Sequence, residues 1–129
     1  RRMMSNVPQA DVIITNPEHF SVALRYDPET METPLMIAKG GDHTALKIRE
    51  SAKAHNIEII QSPVLARAIF YTTDVDQEIP SGLYLAVAQV LAYVFQLRNY
   101  RKGKGDRPIY PRNINVPRDL RYNASGKVD

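Results

Sequence analysis

Apolar and polar residues at the start of the chain are arranged as two strands around a short polar turn. Residues 12–14 are three consecutive apolar residues, which is typical of a short buried strand. From Phe20 to Tyr26, apolar residues alternate with Ser21, Ala23 and Arg25, the period-two pattern of a half-buried strand. The segment 16–19, Asn-Pro-Glu-His, separates the two runs and predicts a hairpin turn, since Asn-Pro favours turn initiation.

Strand and helix patterns alternate in the following residues. We predict strands over 35–38 and 57–60, with Asp42 as the N-cap of a helix over 43–55 between them. The order strand, helix, strand implies a right-handed crossover and a parallel pair. Ser62 followed by Pro63 opens a second helix, and 81–99 has the apolar spacing of a last helix. The fold class is therefore α/β: a four-stranded mixed sheet with packed helices.

The net charge of +3 is unevenly distributed along the 129 residues. Residues 1–99 carry nine Lys and Arg against eleven Asp and Glu, a balance of −2, whereas residues 100–129 carry eight against three. The C-terminal segment contains three Pro and three Gly and has no sustained periodicity. Because we see no apolar pattern that could offset the entropy of ordering it, we predict a flexible basic tail over 101–129.

Composition also limits the chemistry that this sequence can perform. It contains no Cys, so disulfides and thiol nucleophiles are excluded, and its three His lack the spacing of metal ligands. The segment 39–42, Lys-Gly-Gly-Asp, lacks the glycine spacing of either nucleotide fingerprint. We therefore expect no cofactor and no metal. The most apolar run, 83–95, is shorter than the roughly 20 residues that span a bilayer.

The Asn16-Pro17 bond can be cut by its own side chain. Pro17 has no N–H, so the usual attack on the Asn side chain is closed. The reverse attack remains open: the Asn16 side-chain nitrogen attacks the Asn16 carbonyl carbon, a succinimide forms, and Pro17 leaves as an amine. A turn held between paired strands can supply the attack geometry. Glu18 and His19 are candidates for assisting proton transfer. The alternative, in which Asn and Pro act only as ordinary turn residues, stays open.

Several stretches resemble the FlhB/YscU family of type III export proteins, and its flagellar branch in particular. The resemblance covers about residues 1–99 and rests on VPQADVIITNPEHFSVALRY, AKGGDHTALKIRE, SPVLARAIF and IPSGLYLAVAQVLAYVF. The family motif is Asn-Pro-Thr-His, and its members cut themselves between Asn and Pro. Asn16, Pro17 and His19 match this motif, whereas Glu18 stands where Thr is usual. The resemblance therefore implies self-cleavage at Asn16-Pro17, with an altered rate.

The resemblance implies a cellular role as well. The domain would dock export cargo and switch export from rod and hook proteins to filament proteins, with a hook-length ruler protein and other export gate components as partners. Residues 1–9 would be a linker from an N-terminal membrane domain, 10–100 the switch domain and 101–129 the tail. The location would be the cytoplasmic side of the bacterial inner membrane.

An apolar docking surface is a further hypothesis. Ala88 and Leu91 lie one turn apart on a helix that is apolar nearly all round, so part of this helix can be exposed for docking. The loop at Thr33 and Pro34 is a candidate border of this docking surface, although the sequence cannot show that the loop and the helix lie together. Two other functions remain open: a family member that binds cargo without cleaving, which Glu18 favours, and a small nucleic-acid-binding domain, which only the basic tail supports.

Overall fold

One mixed sheet organises residues 3–129, the part of the chain that the computed structural model describes. Its strand order is β4-β1-β2-β3-β5. The strands are β1 (Val12–Asn16), β2 (Phe20–Arg25), β3 (Leu35–Gly41), β4 (Glu58–Gln61) and β5 (Gln77–Glu78). The predicted α/β class is confirmed, but the sheet has five strands rather than four. β5 was missed because its two residues are polar and exposed and show no strand pattern.

Helices cover both faces of the sheet. The α-helices are α1 (Asp42–Ala54), α2 (Pro63–Thr72) and α3 (Tyr84–Arg101), and shorter 3₁₀ helices occupy Met3–Gln9, Ser81–Leu83 and Arg118–Leu120. One core contains α1 and the N-terminal 3₁₀ helix, and the other contains α2 and α3. β2 is consequently buried on both faces from Phe20 to Leu24, so the expectation of a half-buried strand was wrong.

The parallel pair is formed by β4 with β1, and every other pair in the sheet is antiparallel. β3 and β4 flank α1 in the chain, yet β1 and β2 lie between them in the sheet. The crossover therefore places β1 at an inner position, hydrogen-bonded on both sides. Its three apolar residues, 12–14, are fully buried.

The start of α1 differs from the prediction. Gly41 occupies the N-cap position and no side chain caps the helix, so Asp42 is not the N-cap that we predicted. Asp42 instead begins the helix with a φ of 45°. For α2, Ser62 does occupy the N-cap position and Pro63 the first helical position, although the Ser62 side chain makes no capping hydrogen bond.

The C-terminal segment differs most from expectation, because it packs against the domain. Val116 is 1% exposed, and three other apolar tail residues pack on the α2–α3 core: Tyr110, Ile114 and Leu120. Hydrogen bonds join Arg67 Nε to the Tyr122 oxygen at 2.6 Å and Tyr71 Oη to the Ala124 oxygen at 2.5 Å. The apolar residues of the tail contact separate places on the body, so they form no periodic pattern in the sequence.

The N-terminal segment also packs on the sheet. Val7 in the first 3₁₀ helix is fully buried, and Asn6 Nδ2 donates a hydrogen bond to the Ile37 oxygen at 3.3 Å. The first two residues of the predicted linker lie outside the described residues. Within residues 3–129, no helix is long and apolar enough to cross a bilayer.

Candidate functional site

The Asn-Pro bond lies in a tight turn between β1 and β2. The His19 N–H donates a hydrogen bond to the Asn16 carbonyl oxygen at 3.0 Å, which closes a four-residue turn. Pro17 takes the second position and Glu18, with a φ of 69°, takes the third. A proline at the second position and a positive φ at the third define a type II turn.

Glu18 holds an unfavourable backbone conformation in this turn. The third position of a type II turn favours Gly or Asn, because other residues bring Cβ too close to the following carbonyl oxygen. The left-handed conformation costs such a residue about 1–2 kcal/mol. The paired strands on both sides hold the turn, so the cost is stored next to the Asn16-Pro17 bond.

Asn16 has the chemical groups that cyclisation requires. It is the last residue of β1, is paired with Phe20 and is 9% exposed. Its side-chain nitrogen is the group that would attack its own carbonyl carbon. The oxygen of the carbonyl under attack already accepts the His19 N–H. That donor is suited to stabilise the negative charge that develops on the oxygen during attack.

Asp42 anchors the far side of the turn, a role that the sequence did not predict. Its N–H donates a hydrogen bond to the His19 carbonyl oxygen at 2.9 Å. The His19 Nδ1 and Asp42 Oδ1 atoms lie 3.9 Å apart, and both side chains are exposed, by 63% and 89%. Because 22 residues lie between His19 and Asp42 in the chain, no local motif could have linked them.

A group of aromatic rings packs around Phe20, the residue that follows the turn. The Phe20 ring lies 4.4 Å from the Phe70 ring and 5.6 Å from the Tyr71 ring, measured between centroids. Phe20 therefore ties the first residue of β2 to α2. The sequence pattern predicted Phe20 as a buried strand residue but did not indicate these partners.

Lys39 fixes the end of α2 beside these rings. Its Nζ donates hydrogen bonds to the Phe70 and Thr73 oxygens, at 2.7 and 2.8 Å, and lies 4.9 Å from the Phe70 ring centroid. Burial lowers the pKa of Lys39, and the nearby Asp74 carboxylate offsets part of that effect. The Lys-Gly-Gly-Asp segment thus serves as a strand-to-helix connection in which the lysine is directed to backbone carbonyls.

A second candidate site is an apolar groove between α3 and the loop that joins β2 to β3. Its cavity has a volume of about 380 Å³. We call it the docking groove, and it is lined by Tyr26, Pro28, Glu32, Pro34, Tyr84, Ala88, Leu91, Ala92 and Phe95. Ala88 is exposed, whereas Leu91 is 4% exposed and forms the floor.

The structure brings together three of the four residues of the docking hypothesis. Pro34, Ala88 and Leu91 line the docking groove, although more than 50 residues separate the loop from the helix positions. Thr33 instead lines a neighbouring depression with Leu35 and Glu78. Tyr26, Tyr84 and Phe95 were missed, since a tyrosine or phenylalanine in a strand or helix pattern indicates core.

The fold defines the chain as a mixed α/β domain with an Asn-Pro turn in its first hairpin, and its sequence is similar to those of known proteins. The sequence model of the FlhB HrpN YscU SpaS family matches residues 1–94. The flagellar biosynthetic protein FlhB of Salmonella typhimurium is 48% identical over 129 residues, all of this chain and 34% of that protein. FlhB of Bacillus subtilis is 48% identical over 98 residues, 76% of this chain and 27% of that protein.

Solved structures share the fold. The cytoplasmic domain of FlhB from Shewanella putrefaciens is 58% identical, with a TM-score of 0.88 and 95% of both chains covered. A mutated EscU C-terminal domain is 28% identical, with a TM-score of 0.67, and the match covers 70% of this chain and 91% of that one.

The chain belongs to the FlhB, HrpN, YscU and SpaS family of export proteins. It spans about a third of the length of the Salmonella and Escherichia coli FlhB proteins.

Proposed function

We propose that this chain is the self-cleaving switch domain of a flagellar type III export gate protein, cut between Asn16 and Pro17. The observation that carries the proposal is the strained type II turn. It holds the Asn16 carbonyl oxygen 3.0 Å from the His19 N–H and places Glu18 at a φ of 69°. Family membership supports the proposal as well.

The cleavage needs no second molecule until the final hydrolysis. The Asn16 side-chain nitrogen forms a bond to the Asn16 carbonyl carbon and gives up one proton, while the His19 N–H stabilises the oxyanion. The carbon–nitrogen bond to Pro17 then breaks, and the Pro17 nitrogen takes up a proton. His19 and Glu18 are proposed to carry the proton between these two nitrogens. Water later opens the succinimide at Asn16.

The cut is proposed to change the surface without separating the fragments. β1 remains hydrogen-bonded to β2 and β4 and keeps its buried residues 12–14. Release of the turn removes the constraint on Glu18 and His19, so the loop that contacts Asp42 can rearrange. We propose that this rearrangement switches export from rod and hook proteins to filament proteins.

Denaturing intact-mass spectrometry of the purified chain tests the cleavage. We expect the 14.6 kDa chain to give two fragments, 1–16 and 17–129, that co-elute on a native column. Asn16→Ala removes the nucleophile and should remain one species with unchanged thermal stability. Pro17→Ala keeps the nucleophile and should cleave more slowly. A wild-type chain that stays intact for days at mildly alkaline pH would contradict self-cleavage.

We further propose that export cargo docks in the docking groove, where Ala88, Leu91 and Pro34 meet. Thr33 is proposed to contribute from the adjoining side of the loop. Other export gate components and a hook-length ruler protein are proposed partners, with an N-terminal membrane domain placing this domain on the cytoplasmic side of the inner membrane. Nucleic acid is not proposed as a partner, because residues 1–99 carry a net charge of −2.

Charge introduced at Ala88 tests the docking site. Ala88 is exposed, so Ala88→Asp should leave the melting temperature unchanged and weaken binding of a purified hook-class export protein. Gln89→Asp, at the next helix position outside the groove lining, is the matched control. Equal loss of binding in both variants, or none in either, would contradict docking in this groove.

A second candidate is a member of the family that binds cargo and does not cleave. Glu18 favours it, since Glu replaces the Thr that is usual in the family motif. The intact-mass experiment separates the two functions: an uncut wild type that still loses cargo binding on Ala88→Asp supports the second candidate.

A further inference from the structure

A charged depression adjoins the docking groove along α3. Tyr26, Pro28 and Phe95 line both, so the two cavities share a wall. The second cavity, of about 470 Å³, extends along the helix to Arg98 and Lys102. From Tyr84 to Lys102 the two adjoining cavities together follow 18 residues of helix, a length of about 27 Å at 1.5 Å per residue. That length fits a peptide segment rather than one side chain.

Positive charge at the far end of the groove is incompletely balanced. Arg25 and Lys102 are exposed, and the structure gives neither an ion-pair partner among residues 3–129. Arg98 lies over the Phe95 ring and pairs with Asp11 at 3.0 Å. Asp11 also accepts the Tyr26 N–H at 2.7 Å.

The second carboxylate in this depression is engaged locally. Asp27 accepts a hydrogen bond from the Glu29 N–H at 2.9 Å within its own loop. Three cations therefore face two carboxylates, both of which already accept backbone hydrogen bonds. Arg25 and Lys102 remain available to an incoming negative charge.

The docking groove itself carries a single negative charge. Glu32 is the one carboxylate among the described residues that line it, and it is exposed. Glu32 does not line the charged depression. The other residues lining the docking groove have apolar or aromatic side chains, so the groove is mostly apolar and the positive charge lies in the adjoining depression.

We propose that the groove binds a segment of an exported protein in which an apolar anchor is followed or preceded by a carboxylate side chain, and that Arg25 and Lys102 bind this carboxylate. The inference rests on the proposed docking function and adds the chemistry of the bound segment. The apolar anchor occupies the cavity floored by Leu91, and the two cations hold the carboxylate in the adjoining depression.

Peptide binding tests the proposal directly. The probes are overlapping fluorescent peptides of about 15 residues, enough to span the groove when extended, that cover one hook-class export protein of the same bacterium. Each binding peptide is also made with its Asp and Glu changed to Asn and Gln. We expect the amide peptides to bind about tenfold more weakly, and raised ionic strength to weaken only the carboxylate forms.

Charge reversal on the protein supplies the reciprocal test. Arg25→Glu with Lys102→Glu should weaken the carboxylate peptides about tenfold, and peptides carrying Lys in place of the carboxylate should regain binding to this variant. Lys53→Glu, an exposed charge on α1 on the other face of the sheet, is the control and should have no effect.

The outcomes distinguish this inference from the docking proposal. The inference would be overturned, and the docking proposal left intact, by peptides whose affinity falls with Ala88→Asp but changes in neither the amide-peptide test nor the charge-reversal test. Absence of any binding peptide would overturn both. Two further results would overturn the inference by giving the groove another occupant: a dimer in sedimentation that Ala88→Asp dissociates, and phosphatidylglycerol vesicles whose binding requires Arg25 and Lys102.

Discussion

The turn and the docking groove are two sites that the chain builds in opposite ways. The turn is four consecutive residues, 16–19, whose chemistry is set by residue type and backbone conformation. The groove combines residues of the 26–34 loop with one side of α3, and its properties come from side-chain packing. A local site of the first kind depends on a few residues, whereas the second is sensitive to changes anywhere along its walls.

The two sites also depend on the same sheet differently. β1 and β2 hold the turn through their ladder, so the turn fails when the ladder loosens. The groove needs α3 to stay seated on the sheet, which the buried face of that helix ensures. Substitutions at four positions test this contrast, in order of expected effect.

The largest effect is expected where the sheet holds the fragment that cleavage would release. Ile14→Ala removes a fully buried side chain from β1 and should lower the free energy of unfolding by about 3–4 kcal/mol. After cleavage, fragment 1–16 should then separate on a native column. Ile109→Ala is the matched control, since Ile109 is 92% exposed and its truncation should cost less than about 0.5 kcal/mol. If the cleaved Ile14→Ala variant also retained fragment 1–16, side-chain packing of β1 would not be what holds the fragment in the wild type.

A smaller loss is expected at the floor of the groove. Leu91→Ala should lower the free energy of unfolding by about 2–3 kcal/mol, because the cavity it leaves opens to the groove and can fill with water. Leu85→Ala, on the same helix at 85% exposure, should be close to neutral. Urea unfolding measures both. Cleavage should proceed at the wild-type rate in each variant, and a changed rate would show that the two sites are coupled.

The strained position in the turn gives a smaller and more local effect. Glu18→Gly should raise the free energy of unfolding by about 1 kcal/mol in the Asn16→Ala background, because glycine adopts positive φ freely. In the cleavable chain it should slow the cut by about fivefold if this strain is released in the transition state. Glu18→Thr places a β-branched residue at the same φ and should cut faster than Glu18→Gly, because both variants lack the carboxylate and only the threonine keeps the strain. Equal cleavage rates with Glu, Gly and Thr at position 18 would show that backbone strain does not contribute to the rate.

The smallest effect concerns pH. Burial lowers the pKa of Lys39 below its ordinary 10.5, so above the folded-state pKa the unfolded chain binds more protons than the folded one. The free energy of unfolding should therefore rise with pH until about 10.5. Lys39→Met removes this dependence, which urea unfolding of both proteins in the Asn16→Ala background would measure. If the free energies of unfolding of the two proteins changed with pH in parallel, Lys39 would not be the cause of the pH dependence.

The position of the turn was predictable from the sequence because it depends on neighbouring residues. The residue types of Asn16 and Pro17 identify the candidate bond and its candidate nucleophile. The flanking apolar runs predicted the two strands and the turn. Helix positions followed from periodicity and from Pro63. The tail and β5 were not predictable, since Val116 and Gln77 acquire their places through contacts with distant elements.

Tertiary structure alone decided everything that joins distant parts of the chain. It brought Asp42 to the His19 carbonyl, Lys39 to the end of α2 and Pro34 to Ala88. It also set the φ of Glu18, which lies in the three-residue connection that the register of β1 and β2 leaves between Asn16 and Phe20. Periodicity reports whether a residue faces inward, but which residue it meets depends on how the sheet orders its strands and on which helices cover each face.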